Sequence, residues 1–368
     1  MTVLGFLGKK GFAMQFNWIF VLIGGAIIFG FFFSLINNLL QSEDVSTKIK
    51  ATQEVDAMFK INLASDNTQK TIEFTSNIKI NFFAERTSTY SEYSVEGSPR
   101  AARYDYNAIF SPNELEGDEL IVQSFVLDLP FRSMPVVYVT NKEVEYVLLG
   151  ISPAVQTVLS DLPEDINWKQ HEVLGDMSSY PDRNYDRTVF VTDKETFDTS
   201  GMAWVRFNNF NRPAERIFAV VMAPGTGTIA GYGEISFYKY DPNQGLVLAG
   251  TSPFFDHKIL TGAIISHDRD IYENNLRKVL RRINLLTDLY VKKVEYYWAD
   301  NELVLCRGLY GEVLEFLDSP GGNEDVKAWS LYEDELSYTN LALLFSASNQ
   351  LKAFNSQIVS GRDCPGIY

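Results

Sequence analysis

Residues 16–40 read FNWIFVLIGGAIIFGFFFSLINNLL, and within them residues 18–36 hold no charge and one clearly polar side chain, Ser34. A bilayer's hydrocarbon core is about 30 Å thick and a helix rises about 1.5 Å per residue, so roughly 20 apolar residues span it. The stretch predicts a transmembrane helix over 16–40, anchored by Phe16, Trp18, Ile19, Phe20, Leu22, Ile23, Ile27, Ile28, Phe31, Phe32, Phe33 and Leu35. In lipid the backbone must satisfy its own hydrogen bonds, so the helix is continuous, with Gly24, Gly25 and Gly30 tolerated. A cleaved secretory signal has a shorter apolar region and a small-x-small site. Here the run is longer and Gln41-Ser42-Glu43-Asp44 follows it. A buried core helix is a poor match, because Phe31, Phe32 and Phe33 leave it no polar face.

Lys9 and Lys10 are the only charges ahead of Glu43, although Lys48, Lys50 and Lys60 lie on the other flank. A long domain crosses whatever its charge, whereas a short basic tail stays inside. The expected topology is a single-pass cell-membrane protein with a cytoplasmic N-terminus and an extracytoplasmic body. Lys9-Lys10-Gly11 also resembles archaeal class III signals, which are cut after a basic residue and glycine while the apolar helix is kept. The acidic residue that marks bacterial prepilins is replaced by Phe16. A pilin-like filament subunit is therefore an alternative.

The 368 residues are 46% hydrophobic and 21% charged, a globular composition. Beyond residue 42 stand all 47 acidic residues against 30 of the 32 basic ones, a net charge of −17. Such a surface repels phosphate backbones and argues against a nucleic-acid partner. The expected partners are membrane lipid, through the helix, and a protein.

Working outward, residues 1–15 form a tail, and Val45, Ile49, Val55 and Phe59 recur at helical spacing, predicting a helical stalk over 41–61. Ile72, Phe74, Ile78, Ile80 and Phe82 then alternate with polar residues, the period of a strand. Further strands are expected at 89–95, 103–110, 119–127, 135–140 and 144–149, with turns at 97–99, 111–113, 116–118 and 129–130. A short helix follows from Pro153 to Leu162. These make a β-rich domain over 62–162, then a linker over 163–187. The mixed α/β domain over 188–368 carries strands at 188–192, 203–207, 217–222, 233–240, 246–249 and 260–265. It ends in two long helices, 268–294 and about 325–359. The fold class is α+β.

Motifs that carry chemistry are sparse. Residues 223–231, APGTGTIAG, contain G-x-G-x-x-A after an apolar strand, but a dinucleotide site needs a helix next and a strand is expected there. No cofactor is expected. Asp256-His257 and His267-Asp268-Arg269-Asp270 lack metal-ligand spacing, and the second string is better read as a helix cap, so no metal is expected. Ser266 has no nucleophile elbow and Cys306 no thiol signature, so no catalytic residue is assigned. Arg277, Lys278, Arg281 and Arg282 are expected to pair with the chain's own carboxylates, and Tyr290, Tyr296, Tyr297 and Trp298 to fill core. Ala26 and Gly30 form a small-xxx-small pair in the apolar helix. Cys306, after a short strand at 302–305, and Cys364, past the last helix, are a candidate disulfide for an oxidising compartment.

Four strings together carry a resemblance: GFAMQFNWIFVLIGGAIIFGFFF, FSPNELEGDELIVQSFVLDLPFRSMPVVYVT, LTGAIISHDRDIYENNLRKVLRRI, and the ending from Asn349 to Cys364-Pro365-Gly366-Ile367-Tyr368. They resemble uncharacterised single-pass membrane-anchored proteins of small-genome (DPANN-type) archaea. The resemblance implies an N-terminal anchor and an archaeal cell-surface setting. It brings no functional residues, since those proteins have no established activity. The expectation is a structural or protein-interaction role at the surface, with an anchored enzyme as a further alternative.

Overall fold

The apolar stretch and the residues after it form one helix, α1 (Lys10–Ala64), 55 residues long. The structure is a computed structural model that describes residues 10–65, 67–83, 90–105, 107–129, 131–171, 185–200, 216–225, 231–318, 326, 336–361 and 364–368. The side chains of Phe16, Trp18, Ile19, Phe20 and Leu35 lie outside those described. Among the described residues no helix is long and apolar enough to cross a membrane.

The expected stalk does not stand free. Ala51, Val55 and Phe59 recur at four-residue spacing, which puts them on one helix face, and that face is buried. The Phe59 ring meets Tyr93 and Tyr104 edge-on at 5.1 and 5.7 Å. Removing a phenylalanine that is 0% exposed costs about 3–5 kcal/mol, so this half of α1 belongs to the body.

The first sheet has the order β3-β2-β1-β5-β6-β4. Its strands are β1 (Thr68–Phe83), β2 (Tyr90–Val95), β3 (Ala101–Asp105), β4 (Ala108–Phe110), β5 (Glu114–Asp128) and β6 (Arg132–Thr140). All neighbours are antiparallel except β4 and β6. The strand expected at 103–110 is two strands on opposite edges of the sheet. The turn expected at 116–118 lies inside β5, where Gly117 faces Ile78 at a register shift in β1. A bulge, not a turn, accounts for that glycine.

The second sheet has the order β12-β11-β10-β9-β7-β8. It comprises β7 (Val144–Leu149), β8 (Asn167–His171), β9 (Arg187–Asp193), β10 (Ile217–Pro224), β11 (Tyr232–Asp241) and β12 (Gly245–Phe255). Strands β8, β7, β9 and β10 are parallel, and β11 and β12 complete it antiparallel. Every residue of β7 and β9 is buried, as parallel strands covered on both faces require. Residues 144–149 thus belong to the second sheet, and the change of sheet falls ahead of them. The stretch expected as a linker holds β8, and the strand expected at 203–207 lies outside the described residues.

Between β7 and β8 runs α2 (Pro153–Asp161), capped by Ser152, and α3 (Lys194–Ser200) follows β9. Helices α4 (His257–Ser266) and α5 (Arg269–Ala299) touch both sheets. Residues 260–265, expected as a strand, are helical in α4. Eight consecutive α4 residues are buried, so no polar face marks the period. A 3₁₀ turn (Asn301–Cys306) replaces the strand expected at 302–305, then come α6 (Arg307–Leu317) and α7 (Tyr338–Gly361). The last helix therefore begins later than about 325. One continuous hydrophobic core runs from Ala51 to Ile367 through both sheets, and a smaller one covers the other face of the second sheet around Phe190 and Phe197.

Candidate functional site

In the parallel part of the second sheet, β7 leads through α2 to β8 on one side, and the chain returns to β9 on the other side of β7. Ligands of open α/β sheets sit outside the carboxyl ends of the strands at such a reversal. A cleft of about 650 Å³ lies there, lined by Ser152, Pro153 and Ala154 after β7, by Asp193, Glu195 and Asp198 at and after β9, and by the end of β10 from Met222 to Pro224.

Local chemistry holds its walls in place. Gly150 has φ +93°, and a Cβ there would come 3.1 Å from Thr196 Oγ1, so this turn requires glycine. Its N–H donates to the His171 carbonyl at 2.9 Å, and Gln170 Nε2 donates to its carbonyl at 2.9 Å. The Ser152 hydroxyl accepts from the Val155 N–H at 3.4 Å. The Asp193 carboxylate accepts from Thr196 N–H at 2.8 Å and Thr196 Oγ1 at 3.0 Å, and so fills the start of α3 itself. The floor is apolar, from Ala154, Met222 and Pro224, while among the described lining residues Lys194 is the one base facing Asp193, Glu195 and Asp198. This is the chemistry of a site for a neutral or cationic group, and it opposes phosphate.

Elsewhere polar side chains form a seam between α5 and the first sheet. Lys278 is 1% exposed, and its ammonium donates to Ser91 Oγ at 2.8 Å and Asn275 Oδ1 at 3.3 Å. Burial, with Arg281 nearby, pushes its pKa down to about 7. A lysine paired to a serine is the pattern of an activated nucleophile. The void beside them holds only about 10 Å³, room for one water and no substrate. Ser91 moreover spends its proton on the Asn107 carbonyl at 2.8 Å. The sequence reading expected Lys278 to pair with the chain's own carboxylates, whereas its partners are the neutral Ser91 and Asn275. Its signal was the i, i+3 pair with Asn275 on the apolar side of the helix.

A second cluster joins the sheets. Arg187 Nη1 reaches Asn113 Oδ1 at 3.1 Å and His267 Nε2 at 3.5 Å, and its guanidinium lies 4.0 Å from Glu114. Arg216 pairs with Asp186 and lies 3.7 Å from Glu114. His267 is the left-handed C-cap of α4, and its Nδ1–H donates to the Ile265 carbonyl at 3.0 Å. Burial first, then the Arg187 charge, holds that imidazole well below its ordinary pKa.

The remaining sequence candidates are placed as follows. Asp268 caps α5, accepting from Asp270 N–H at 2.9 Å. Asp256 caps α4 in a strained conformation, φ +70°, and His257 lies 3.6 Å from Asp161 and 3.7 Å from Asp256. Among the described residues no three His, Cys, Asp or Glu side chains converge as metal ligands. In the glycine-rich string, Gly225 N–H donates to the Tyr232 carbonyl at 2.8 Å and β11 follows antiparallel, while residues 226–230 lie outside the described residues. Arg277 pairs with Glu273 at 3.1 Å. Tyr290 meets Phe131 at 4.4 Å and Tyr297 meets Tyr310 at 5.5 Å, but Tyr296, 70% exposed, and Trp298 face solvent instead of core. Cys306 and Cys364 form a disulfide. The cleft itself was missed in the sequence. Its signals were a glycine and a capping serine-proline after one apolar strand, and a capping aspartate after the next. No protein-family model, no curated protein and no solved structure matches the chain.

Proposed function

We propose that this chain is a membrane-anchored protein, spanning once through residues 16–40, with its body on the extracytoplasmic side and a structural or protein-interaction role at the cell surface. One observation carries the reading. Along the single helix α1, Leu22, Ile23, Ile27, Ile28, Phe29 (73% exposed) and residues 31–33 are uncovered, whereas Ala51, Val55 and Phe59 are buried in the body. A contiguous uncovered apolar surface of this kind marks a membrane or protein contact. The disulfide favours an oxidising compartment. The void at Lys278 and the self-capped Asp193 favour binding over catalysis.

Ile28→Arg in the full chain puts a charge near the bilayer centre, at a cost of a few kcal/mol. The expected outcome is loss of the protein from carbonate-washed membranes. Retention equal to the parent rejects the anchor.

A second reading, a pilin-like filament subunit, is favoured by the same helix, whose apolar end is uncovered while its later half lies across the largely antiparallel first sheet. A native N-terminus at Phe12, found by mass spectrometry, selects it.

A further inference from the structure

The two edges of the first sheet are treated differently. At β4 the Asn275 amide takes both the N–H and the C=O of Ile109, at 3.1 and 2.7 Å, and α5 closes the edge. At β3 no strand lies beyond it among the described residues. Beside β3 instead runs a groove of about 580 Å³, walled on its other side by α1. An uncovered edge next to a helix is the arrangement in which an extended peptide adds as one more strand.

The groove has the dimensions and chemistry for such a guest. Its α1 wall runs from Gln53 through Asp56 and Lys60 to Leu63. The ten steps from Gln53 to Leu63 rise about 15 Å, the length of four to five extended residues. On the strand side Ala101 and Ala102 leave the space that larger side chains would fill. Asp56 is already bound, to Lys60 at 2.6 Å and to the Tyr104 hydroxyl, and Arg103 is held by Glu92 at 2.6 Å. Arg100, which also lines the groove, is exposed and has no carboxylate within ion-pair distance among the described residues. In a chain of net charge −15, the groove is thus locally positive.

We infer that the groove between α1 and β3 binds an extended segment of a partner protein, which pairs with β3 through its backbone, sets an acidic side chain against Arg100 and turns small aliphatic side chains toward Leu63 and Ala102. This deepens the interaction role proposed above and rests on it for the partner being a protein.

The test uses the full chain in detergent micelles and a fluorescent eight-residue probe alternating Val with Glu. Controls are the same probe with Lys for Glu, and one N-methylated at alternate amides, which cannot pair as a strand. The expected result is saturable binding of the acidic probe and at least tenfold weaker binding of both controls. Arg100→Glu weakens it about tenfold by reversing that charge. Ala102→Trp fills the groove and abolishes it, with unchanged thermal unfolding as proof of folding. Equal binding of the N-methylated probe, or indifference to both substitutions, overturns the inference. So does self-association in detergent that Ala102→Trp dissolves, since a second copy is then the occupant. Membrane fractionation of both variants stays at the parent level, so failure of the groove and failure of the anchor are read separately.

Discussion

Asn275 on α5 occupies both backbone hydrogen-bonding groups of Ile109 on β4, accepting from the N–H at 3.1 Å and donating to the C=O at 2.7 Å. A side-chain amide thus does the work of a missing neighbouring strand. Its Oδ1 also receives Lys278 at 3.3 Å, so one residue closes the sheet and anchors the polar seam.

Asn275→Leu leaves two buried backbone groups unpaired, each worth about 1–3 kcal/mol. We expect stability to fall by about 2–4 kcal/mol in urea unfolding. A loss under about 0.5 kcal/mol would falsify this role for the amide.

Lys278 sets a pH dependence. Its folded pKa, about 7, lies below the ordinary lysine value, so between the two the unfolded chain holds a proton that the folded chain does not. Stability therefore rises with pH from about 7 toward 10.5, by up to about 1.4 kcal/mol per unit, and the penalty is complete below 7. Lys278→Met should flatten this part of the profile relative to the parent. Parallel profiles would mean that the ammonium is solvated.

The Cys306–Cys364 bridge spans 58 positions and should contribute about 2–4 kcal/mol. The segment it ties is also held by Tyr310 Oη on the Pro365 carbonyl at 2.9 Å and Lys293 Nζ on the Ile367 carbonyl at 2.6 Å. Cys364→Ser should lower Tm by several degrees, and dithiothreitol should lower the parent's Tm equally. A parent Tm indifferent to reductant counts against a bridge.

Helix α4 approaches β4 through Gly262, where a Cβ would stand 2.7 Å from the Phe110 ring. Phe110 is fully buried against Tyr138 and Tyr272 and cannot swing away. Gly262→Ala should cost about 1–3 kcal/mol by overpacking, despite the gain in helix propensity. Thermal unfolding at or above the parent Tm would show that the ring yields.

Amphipathic elements were legible in the sequence. The period-two run around Ile78 and Ile80 became β1, and the helix expected at 268–294 became α5 with Asp268 as its cap. What was hidden lacked a polar face or depended on distant partners. Residues 260–265 are buried on all sides because α4 touches both sheets, so periodicity could not tell helix from strand. Strands β3, ending at Asp105, and β4, starting at Ala108, lie on opposite edges of the sheet, a fact of topology that no local pattern holds. The cleft arises where β7 and β9, separated by 37 positions in the chain, end side by side.

The unbroken course of α1 has a mechanical consequence. No hinge, proline or loop interrupts it between Ser34 and Phe59, so the helix acts as a lever rather than a tether. From Ser34 to Ala51 it rises about 25 Å, which fixes both the distance and the direction between the uncovered apolar end and the body. A pull on either end is transmitted along the helix axis into the aromatic cluster of Phe59, Tyr93 and Tyr104, directly beside the β3 groove.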